Sequence, residues 1–106
     1  MYALNIFVPE ESKEKLKDGL FRAGGGKYNN YDKCSWETKG KGQFRPLEKS
    51  NPYIGNKNKI MKLTEYKLEM IFKEKHLDKI IQAIKNYHPY EEPAFYIYKL
   101  INPSEE

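Results

Sequence analysis

Residues 73–89 read KEKHLDKIIQAIKNYHP and carry the clearest helical pattern in the chain. Apolar side chains recur there at intervals of three and four residues, which places them on one face of an α-helix. They are Leu77, Ile80, Ile81, Ile84 and Tyr87. Pro89 ends the pattern, because the residue before a proline is pushed out of the α region. The pattern predicts a helix over residues 73–87 with one buried face.

The segments on both sides of this helix predict strands. Residues 60–72 alternate apolar with charged side chains, most clearly from Tyr66 to Phe72, and residues 93–100 predict the last strand. At the other end of the chain, residues 2–8 place Tyr2, Leu4, Ile6 and Val8 on one face of a strand.

A second helix is predicted between Pro9 and the three glycines at 24–26. Proline is favoured at the first helical position, and glycine adopts the left-handed conformation that ends helices. Leu16, Leu20 and Ala23 form its apolar stripe.

The middle of the chain predicts a tight hairpin. Residues 34–38 are a plausible strand, Gly40 and Gly42 interrupt it, and residues 43–47 return as a second short strand. Cys34, on the first of these strands, is expected to be a small buried side chain without a reactive role. Residues 48–59 contain Pro52 and Gly55 and predict a loop.

With the interrupted segment 34–47 counted as one strand element, the predicted order is β-α-β-β-α-β, which is the plan of a ferredoxin-like sandwich. This α+β fold packs two helices on one face of an antiparallel sheet. We expect a single domain over residues 1–101 and a flexible tail over residues 102–106. The expected core consists of Leu16, Leu20, Leu68, Met70, Ile80, Ile81, Ile84 and Ile97.

The composition limits the classes of function. The chain has 106 residues and a net charge of +4, which is too small by itself to indicate a nucleic-acid-binding protein. No apolar run approaches the roughly 20 residues that a membrane helix needs. A single cysteine excludes an intrachain disulfide framework, and residues 1–8 do not have the pattern of a signal peptide. We therefore expect a cytoplasmic protein that does not bind membranes, and nucleic-acid binding is not expected.

Two segments carry groups that could bind a ligand. The first is His88-Pro89-Tyr90-Glu91-Glu92-Pro93, in which His88, Glu91 and Glu92 could ligate a metal ion. The alternative is that the two prolines only fix the angle of the last strand. His76 lies roughly 18 Å from His88 along the predicted helix, so the two histidines cannot share one ion within a subunit.

The second segment is Gly40-Lys41-Gly42-Gln43-Phe44-Arg45-Pro46, in the most basic part of the chain. Its glycines allow close approach to the backbone, and Lys41 and Arg45 could bind an anion such as phosphate. The alternatives are a lysine-coated hairpin, and an Arg45 that pairs with Glu48 or Glu37. The glycine patterns of phosphate-binding loops and of dinucleotide-binding turns are absent.

The sequence contains no recognisable catalytic set. It has two histidines, no His-x-x-x-His pair and no Cys-x-x-Cys pair. Glu91 and Glu92 are adjacent on an extended segment and point apart, which makes them a poor acid–base pair. We predict no catalytic residues and no cofactor.

Four motifs together resemble one known family. They are NYDKCSW at residues 30–36, GQFRPLE at 42–48, SNPYIG at 50–55 and HPYEEPA at 88–94. They resemble the domain inserted in Nif-three-like (YqfO-type) proteins, often labelled GTP cyclohydrolase type 2 homologues, and this resemblance covers nearly the whole chain. The final motif also resembles the CutA proteins, and the overall plan resembles the PII-like signalling fold.

The resemblance implies a function as well as a fold. Nif-three-like proteins hold two metal ions in flanking segments that this sequence does not contain, so we expect a stand-alone copy of the inserted domain with no enzymatic activity. CutA and PII proteins are typically trimers, which implies a homo-oligomer with a trimer favoured. The leading hypothesis is a small, oligomeric binding or regulatory module that takes a small anionic ligand or a protein partner. The alternative is a CutA-like protein that binds divalent cations.

Overall fold

A computed structural model describes residues 1–101 as one four-stranded sheet with two helices. The predicted tail, residues 102–106, lies outside the described residues. The elements, in chain order, are β1 Tyr2–Pro9, α1 Glu10–Arg22, β2 Trp36–Phe44, β3 Met61–Phe72, a 3₁₀ turn at Glu74–His76, α2 Leu77–Tyr87 and β4 Phe95–Lys99. No helix within residues 1–101 is long and apolar enough to cross a bilayer.

The sheet has the strand order β2-β3-β1-β4, and every neighbouring pair is antiparallel. This confirms the α+β ferredoxin-like fold. The register places Leu4 between Met70 and Ile97, and Ile6 between Leu68 and Phe95. Paired residues of antiparallel strands lie on the same face of the sheet. This face is the one covered by the helices, because Leu4, Ile6, Leu68 and Met70 are buried there.

The core forms between this face of the sheet and the apolar stripes of α1 and α2. Six of the residues expected in it are buried: Leu16, Leu20, Leu68, Met70, Ile80 and Ile84. Ile97 is partly buried and packs against them. Ile81 is only half-buried, so its place in the expected core was wrong. Its position on α2 turns it to the margin of the stripe, whereas Ile80 and Ile84 point directly into the core.

Helix α1 begins and ends close to the predicted residues. Pro9, predicted as the first helical residue, is instead the last residue of β1 and precedes the helix in an extended conformation, so the helix begins one residue later, at Glu10. At the other end, Gly24 has a backbone φ of 110°, which residues with a Cβ rarely adopt. The glycines therefore end the helix as expected.

The predicted hairpin at residues 34–47 is wrong. Strand β2 runs without interruption from Trp36 to Phe44 and pairs with β3 along its whole length. Gly40 and Gly42 are ordinary strand residues, since neither has a positive φ. The chain reverses in the following segment, residues 45–60, which we call the 45–60 loop. Extended pairing with β3 therefore outweighs the local tendency of glycine to break a strand.

Cys34 also differs from its predicted setting. It precedes β2 and is half-buried, with its backbone N–H donating to the Gly26 carbonyl oxygen at 2.8 Å. The prediction of a buried strand residue was therefore wrong, because the strand begins two residues later.

Two lysines of α1 fix the helix to the edge of the sheet. Lys13 Nζ lies 2.6 Å from Glu37 Oε2, and Lys17 Nζ lies 2.9 Å from Glu37 Oε1. The hydrogen bonds from Lys13 and Lys17 lower the pKa of Glu37. This arrangement marks the helix-covered face of β2, and residues that alternate with Glu37 lie on the opposite, outer face of the sheet.

Candidate functional site

A cavity of about 550 Å³ lies against the outer face of the sheet, at the end where β2 leaves for the 45–60 loop. Three parts of the chain enclose it: strand residues of the outer face, the 45–60 loop, and residues 88–94, which we call the 88–94 segment. The side chains that line it include Phe7, Phe44, Arg45, Lys49, Tyr53, Glu65, Tyr90, Glu91 and Glu92.

Tyr90 is the centre of an aromatic wall in this cavity. Its ring centroid lies 5.9 Å from that of Phe44, 6.3 Å from that of Tyr53 and 4.9 Å from that of His88. Tilted rings at these separations attract one another beyond the area they bury. The wall therefore joins the end of β2, the 45–60 loop and the 88–94 segment.

The Tyr90 hydroxyl is held by a carboxylate from the sheet. It donates a hydrogen bond to Glu65 Oε2 at 2.8 Å. Burial, and then the hydrogen bond and charge of Glu65, raise the pKa of Tyr90 well above its ordinary value, so the phenol stays protonated. Gly42 pairs with Leu63 and lies diagonally from Glu65 on the same face of the sheet; it leaves no room for a side chain, because a Cβ there would meet the Glu65 carboxylate.

His88 is buried, and both of its ring nitrogens are occupied. Nε2 lies 2.7 Å from the Phe7 carbonyl oxygen, which can only accept, and the Tyr90 backbone N–H donates to Nδ1 at 3.1 Å. The imidazole is therefore neutral with its proton on Nε2. Burial lowers the pKa of His88 and favours the same form. In this arrangement neither nitrogen is free to ligate a metal ion.

The acidic residues of the 88–94 segment have different surroundings. Glu91 Oε1 accepts a hydrogen bond from the Asn51 backbone N–H at 2.6 Å, which ties the segment to the 45–60 loop. Glu92 is exposed and faces the cavity. Within residues 1–101, no three His, Cys, Asp or Glu side chains come together as a metal-binding group. The structure therefore brings Glu91 and Glu92 to one cavity but does not assemble them with His88 into a ligand set.

The two residues expected to bind an anion are separated. Arg45 lines the cavity, whereas Lys41 pairs with Thr64 on the helix-covered face of the sheet and does not line it. Arg45 forms no ion pair among the described residues; Glu37 is held by Lys13 and Lys17, and Glu48 accepts a hydrogen bond from Asn58 at 2.6 Å. The expected alternative pairing of Arg45 with Glu37 or Glu48 is therefore absent from residues 1–101.

Sequence reasoning missed three features of this site. Phe7 and Glu65 come from strands that were analysed only for their core-facing side chains. Glu65 could have been noticed as an acidic residue on the face of β3 opposite to Tyr66 and Leu68. Lys49 was not singled out within the basic part of the chain. No local sequence pattern could have predicted the contact between the 88–94 segment and the 45–60 loop, because it joins residues 40 positions apart in the chain.

Comparison with known proteins identifies relatives of the chain. No protein-family model matches it. It is 39% identical over 105 residues to a protein of Halalkalibacterium halodurans named GTP cyclohydrolase 1 type 2 homolog, and 35% identical over 98 residues to the protein of that name from Mycobacterium tuberculosis. These matches span 99% and 92% of this chain but only 28% and 26% of the relatives. The chain is homologous to one segment of these proteins.

Solved structures lead to the same Nif-three-like segment. A Bacillus cereus protein related to NIF3 superposes with a TM-score of 0.82 and 31% identity, over 95% of this chain and 26% of that one. CutA1 from Pyrococcus horikoshii superposes with a TM-score of 0.69 and 18% identity, over 98% and 89% of the two chains. The CutA match establishes the fold alone. Together the comparisons confirm the resemblance to a Nif-three-like segment with a CutA-like fold.

Proposed function

We propose that this chain is a non-catalytic binding module whose cavity takes a small molecule with an anionic group at Arg45. The observation that carries this proposal is a guanidinium without an ion-pair partner in residues 1–101, facing a cavity of about 550 Å³. Ligand sites in proteins have volumes of roughly 300–1,000 Å³ and combine apolar walls with a few polar groups.

The chemistry of Arg45 suits a carboxylate or a phosphate. A guanidinium presents parallel N–H donors that bind either group in a bidentate manner, whereas Lys49 at the same cavity acts as a point charge. Phe44, Tyr53 and Tyr90 supply an apolar wall for the rest of the ligand. An organic anion with a flat or apolar part fits these groups better than inorganic phosphate does.

The first experiment measures the melting temperature with sodium phosphate and with sodium benzoate. A ligand that binds the folded state and not the unfolded state raises the melting temperature by mass action, and the rise grows with ligand concentration relative to Kd. We expect benzoate to raise it more than phosphate, and Arg45→Gln to abolish most of either rise. Lys39→Gln is the matched control, because Lys39 carries the same charge on the helix-covered face, opposite Tyr66.

Other outcomes would contradict the proposal. If neither anion shifts the melting temperature, or if Arg45→Gln retains the full shift, the cavity is not an anion site. Loss of the shift in Lys41→Gln instead would place the anion on β2, where Lys41 was first expected to bind it. A shift produced only by a divalent cation, and lost in Glu91→Gln or Glu92→Gln, would favour the metal-binding alternative.

We also propose that the chain has no hydrolase or cyclohydrolase activity of its own. The relatives named for such an activity are more than three times as long as their match to this chain. An open catalytic metal site needs about three protein ligands around the ion, and residues 1–101 do not group three such side chains. We therefore expect no turnover of GTP or of a phosphate ester by the purified chain with added Zn²⁺, Mg²⁺ or Mn²⁺. Turnover that is lost on chelation and restored by metal would contradict this.

The module is further proposed to self-associate, with a trimer favoured by the resemblance to CutA and PII proteins. The support from this chain is the aromatic outer face of its sheet, on which Tyr96 and Tyr98 are half-exposed. Aromatic side chains of this kind are enriched at protein interfaces.

A further inference from the structure

Charges of both signs face the cavity without pairing with each other. Arg45 and Lys49 contribute positive charge, and Glu65, Glu91 and Glu92 contribute negative charge. None of these five side chains takes part in an ion pair within residues 1–101. Their groups are therefore too far apart to neutralise one another directly, and a ligand of the size of the cavity could contact both sets.

This balance of charge does not suit a ligand that is only an anion. A carboxylate on Arg45 would share the cavity with three other carboxylates, and like charges in a partly enclosed site repel. Two of the three carboxylates already accept a hydrogen bond. Glu65 accepts one from the Tyr90 hydroxyl, and Glu91 accepts one from the Asn51 backbone N–H. Glu92 has no hydrogen-bond donor or ion-pair partner in the described part of the chain.

The ligand should therefore bring a cation as well as an anion. An ammonium group could pair with Glu92, whose carboxylate has no partner among residues 1–101. The faces of Phe44, Tyr53 and Tyr90 would also tolerate a nearby cation, because the ring quadrupole attracts positive charge. The same faces bind an apolar side group through the area they bury.

We propose that the cavity binds a zwitterion with an apolar side group, in the class of apolar amino acids and short peptides with free termini. The proposal rests on the proposed function, because it keeps the carboxylate at Arg45. It adds that the ammonium group is recognised by the acidic side of the cavity, chiefly by Glu92. A cavity of about 550 Å³ has room for a dipeptide.

The test compares three forms of one dipeptide by isothermal titration calorimetry with the full chain. The probes are glycyl-L-phenylalanine, its N-acetyl form, which lacks the cation, and its C-terminal amide, which lacks the anion. We expect the free dipeptide to bind at least tenfold more tightly than either blocked form. Arg45→Gln should remove the preference for the free carboxylate, and Glu92→Gln should remove the preference for the free amine.

The Arg45→Gln and Glu92→Gln substitutions are at exposed positions, so a change in affinity can be assigned to the lost charge. Arg45 and Glu92 are both exposed, so neither substitution should disturb the core, and unchanged melting temperatures without ligand would verify this. Lys39→Gln, on the opposite face of the sheet, should leave all three affinities unchanged.

The results separate this inference from the proposed function. If the N-acetyl dipeptide binds as tightly as the free form and Arg45→Gln weakens both, the cavity is a plain anion site; the zwitterion inference is then wrong and the proposed function stands. If the amide and the free form bind equally, the carboxylate is not recognised and both are wrong. If no dipeptide form and neither phosphate nor benzoate binds, both are wrong as well.

Discussion

His88 joins two parts of the chain through opposite edges of one ring. Its Nε2 donates to the carbonyl oxygen of Phe7 on β1, and its Nδ1 accepts the backbone N–H of Tyr90. Only the neutral imidazole can do both, because the protonated ring has two donors and no acceptor. Tyr90 in turn donates to Glu65, so protonation of His88 would remove the acceptor of the Tyr90 backbone N–H next to the cavity wall.

A loss of stability in mild acid follows from this arrangement. Burial lowers the pKa of His88 below its ordinary value of about 6.5. As the pH falls, the unfolded chain therefore binds the proton first. The contribution of His88 to stability is complete above about pH 6.5 and is lost as the pH falls through the lower pKa of the folded state.

The measurement is urea unfolding at a series of pH values from 7.5 to 5.5. We expect the free energy of unfolding to decrease over this window in the wild type and to decrease much less in His88→Gln. His76→Gln is the comparison: burial also lowers the pKa of His76, so this variant reports the share of the decrease that comes from the second histidine. An equal decrease in the wild type and in His88→Gln would contradict this assignment.

Among the elements, β2 contains two glycines whose surroundings differ sharply. A Cβ at Gly40 would meet no atom within 4 Å, whereas one at Gly42 would meet the Glu65 carboxylate. Gly40→Ala should raise the free energy of unfolding by about 0.4–1 kcal/mol, because alanine restricts the unfolded chain. Gly42→Ala should be less stable than Gly40→Ala by about 1 kcal/mol, since Glu65 must move away from the Tyr90 hydroxyl.

Urea unfolding of both variants, with benzoate binding as a second readout, tests this difference. Gly42→Ala should also weaken benzoate binding, because the displaced carboxylate disturbs the aromatic wall, and Gly40→Ala should not. Equal stability of the two variants would show that Glu65 moves at no cost.

Helix α2 offers a comparison between two neighbouring isoleucines. Ile84 is 1% exposed, whereas Ile81 is half-buried and lies outside the core cluster. Ile84→Ala should destabilise the chain by about 2–5 kcal/mol, the usual cost of deleting a buried isoleucine side chain. Ile81→Ala should cost clearly less in the same urea titration. A cost below about 0.5 kcal/mol for Ile84→Ala, as at a surface position, would mean that the assigned core face is wrong.

The elements also explain what the sequence could and could not predict. Helix α2 and β3 were predicted closely because their buried faces recur at a fixed local period. The hairpin within residues 34–47 was wrong because Gly40 and Gly42 suggest a turn locally, while the pairing of β2 with β3 depends on residues far along the chain. Arg45 and the 88–94 segment were identified separately as candidates. Their meeting in one cavity depends on tertiary contacts such as that of Asn51 with Glu91.

At the scale of the whole molecule, the two faces of the sheet differ in what covers them. The helices cover one face, and the cavity lies at one end of the other. The rest of the outer face carries apolar and aromatic side chains on neighbouring strands. Ala3 of β1 pairs with Ile71 of β3 on one side and with Tyr98 of β4 on the other, so the three side chains lie side by side. Tyr96, Tyr98 and Trp36 on this face are 54%, 50% and 68% exposed. A single chain thus leaves aromatic surface uncovered next to the cavity.

We therefore predict that copies of the chain associate through this outer face and that the wild type sediments as a trimer at micromolar concentration. Tyr98→Lys should weaken association at least tenfold, because it places an unpaired charge in an interface that must bury apolar area to be stable. Tyr31→Lys is the matched control: Tyr31 is 72% exposed but lies in the segment between α1 and β2, outside the sheet. Sedimentation equilibrium of the three proteins decides the matter. A monomeric wild type would refute self-association, and an unchanged trimer in Tyr98→Lys would place the contact elsewhere, since a lysine at the centre of the proposed interface could not be accommodated without loss of affinity.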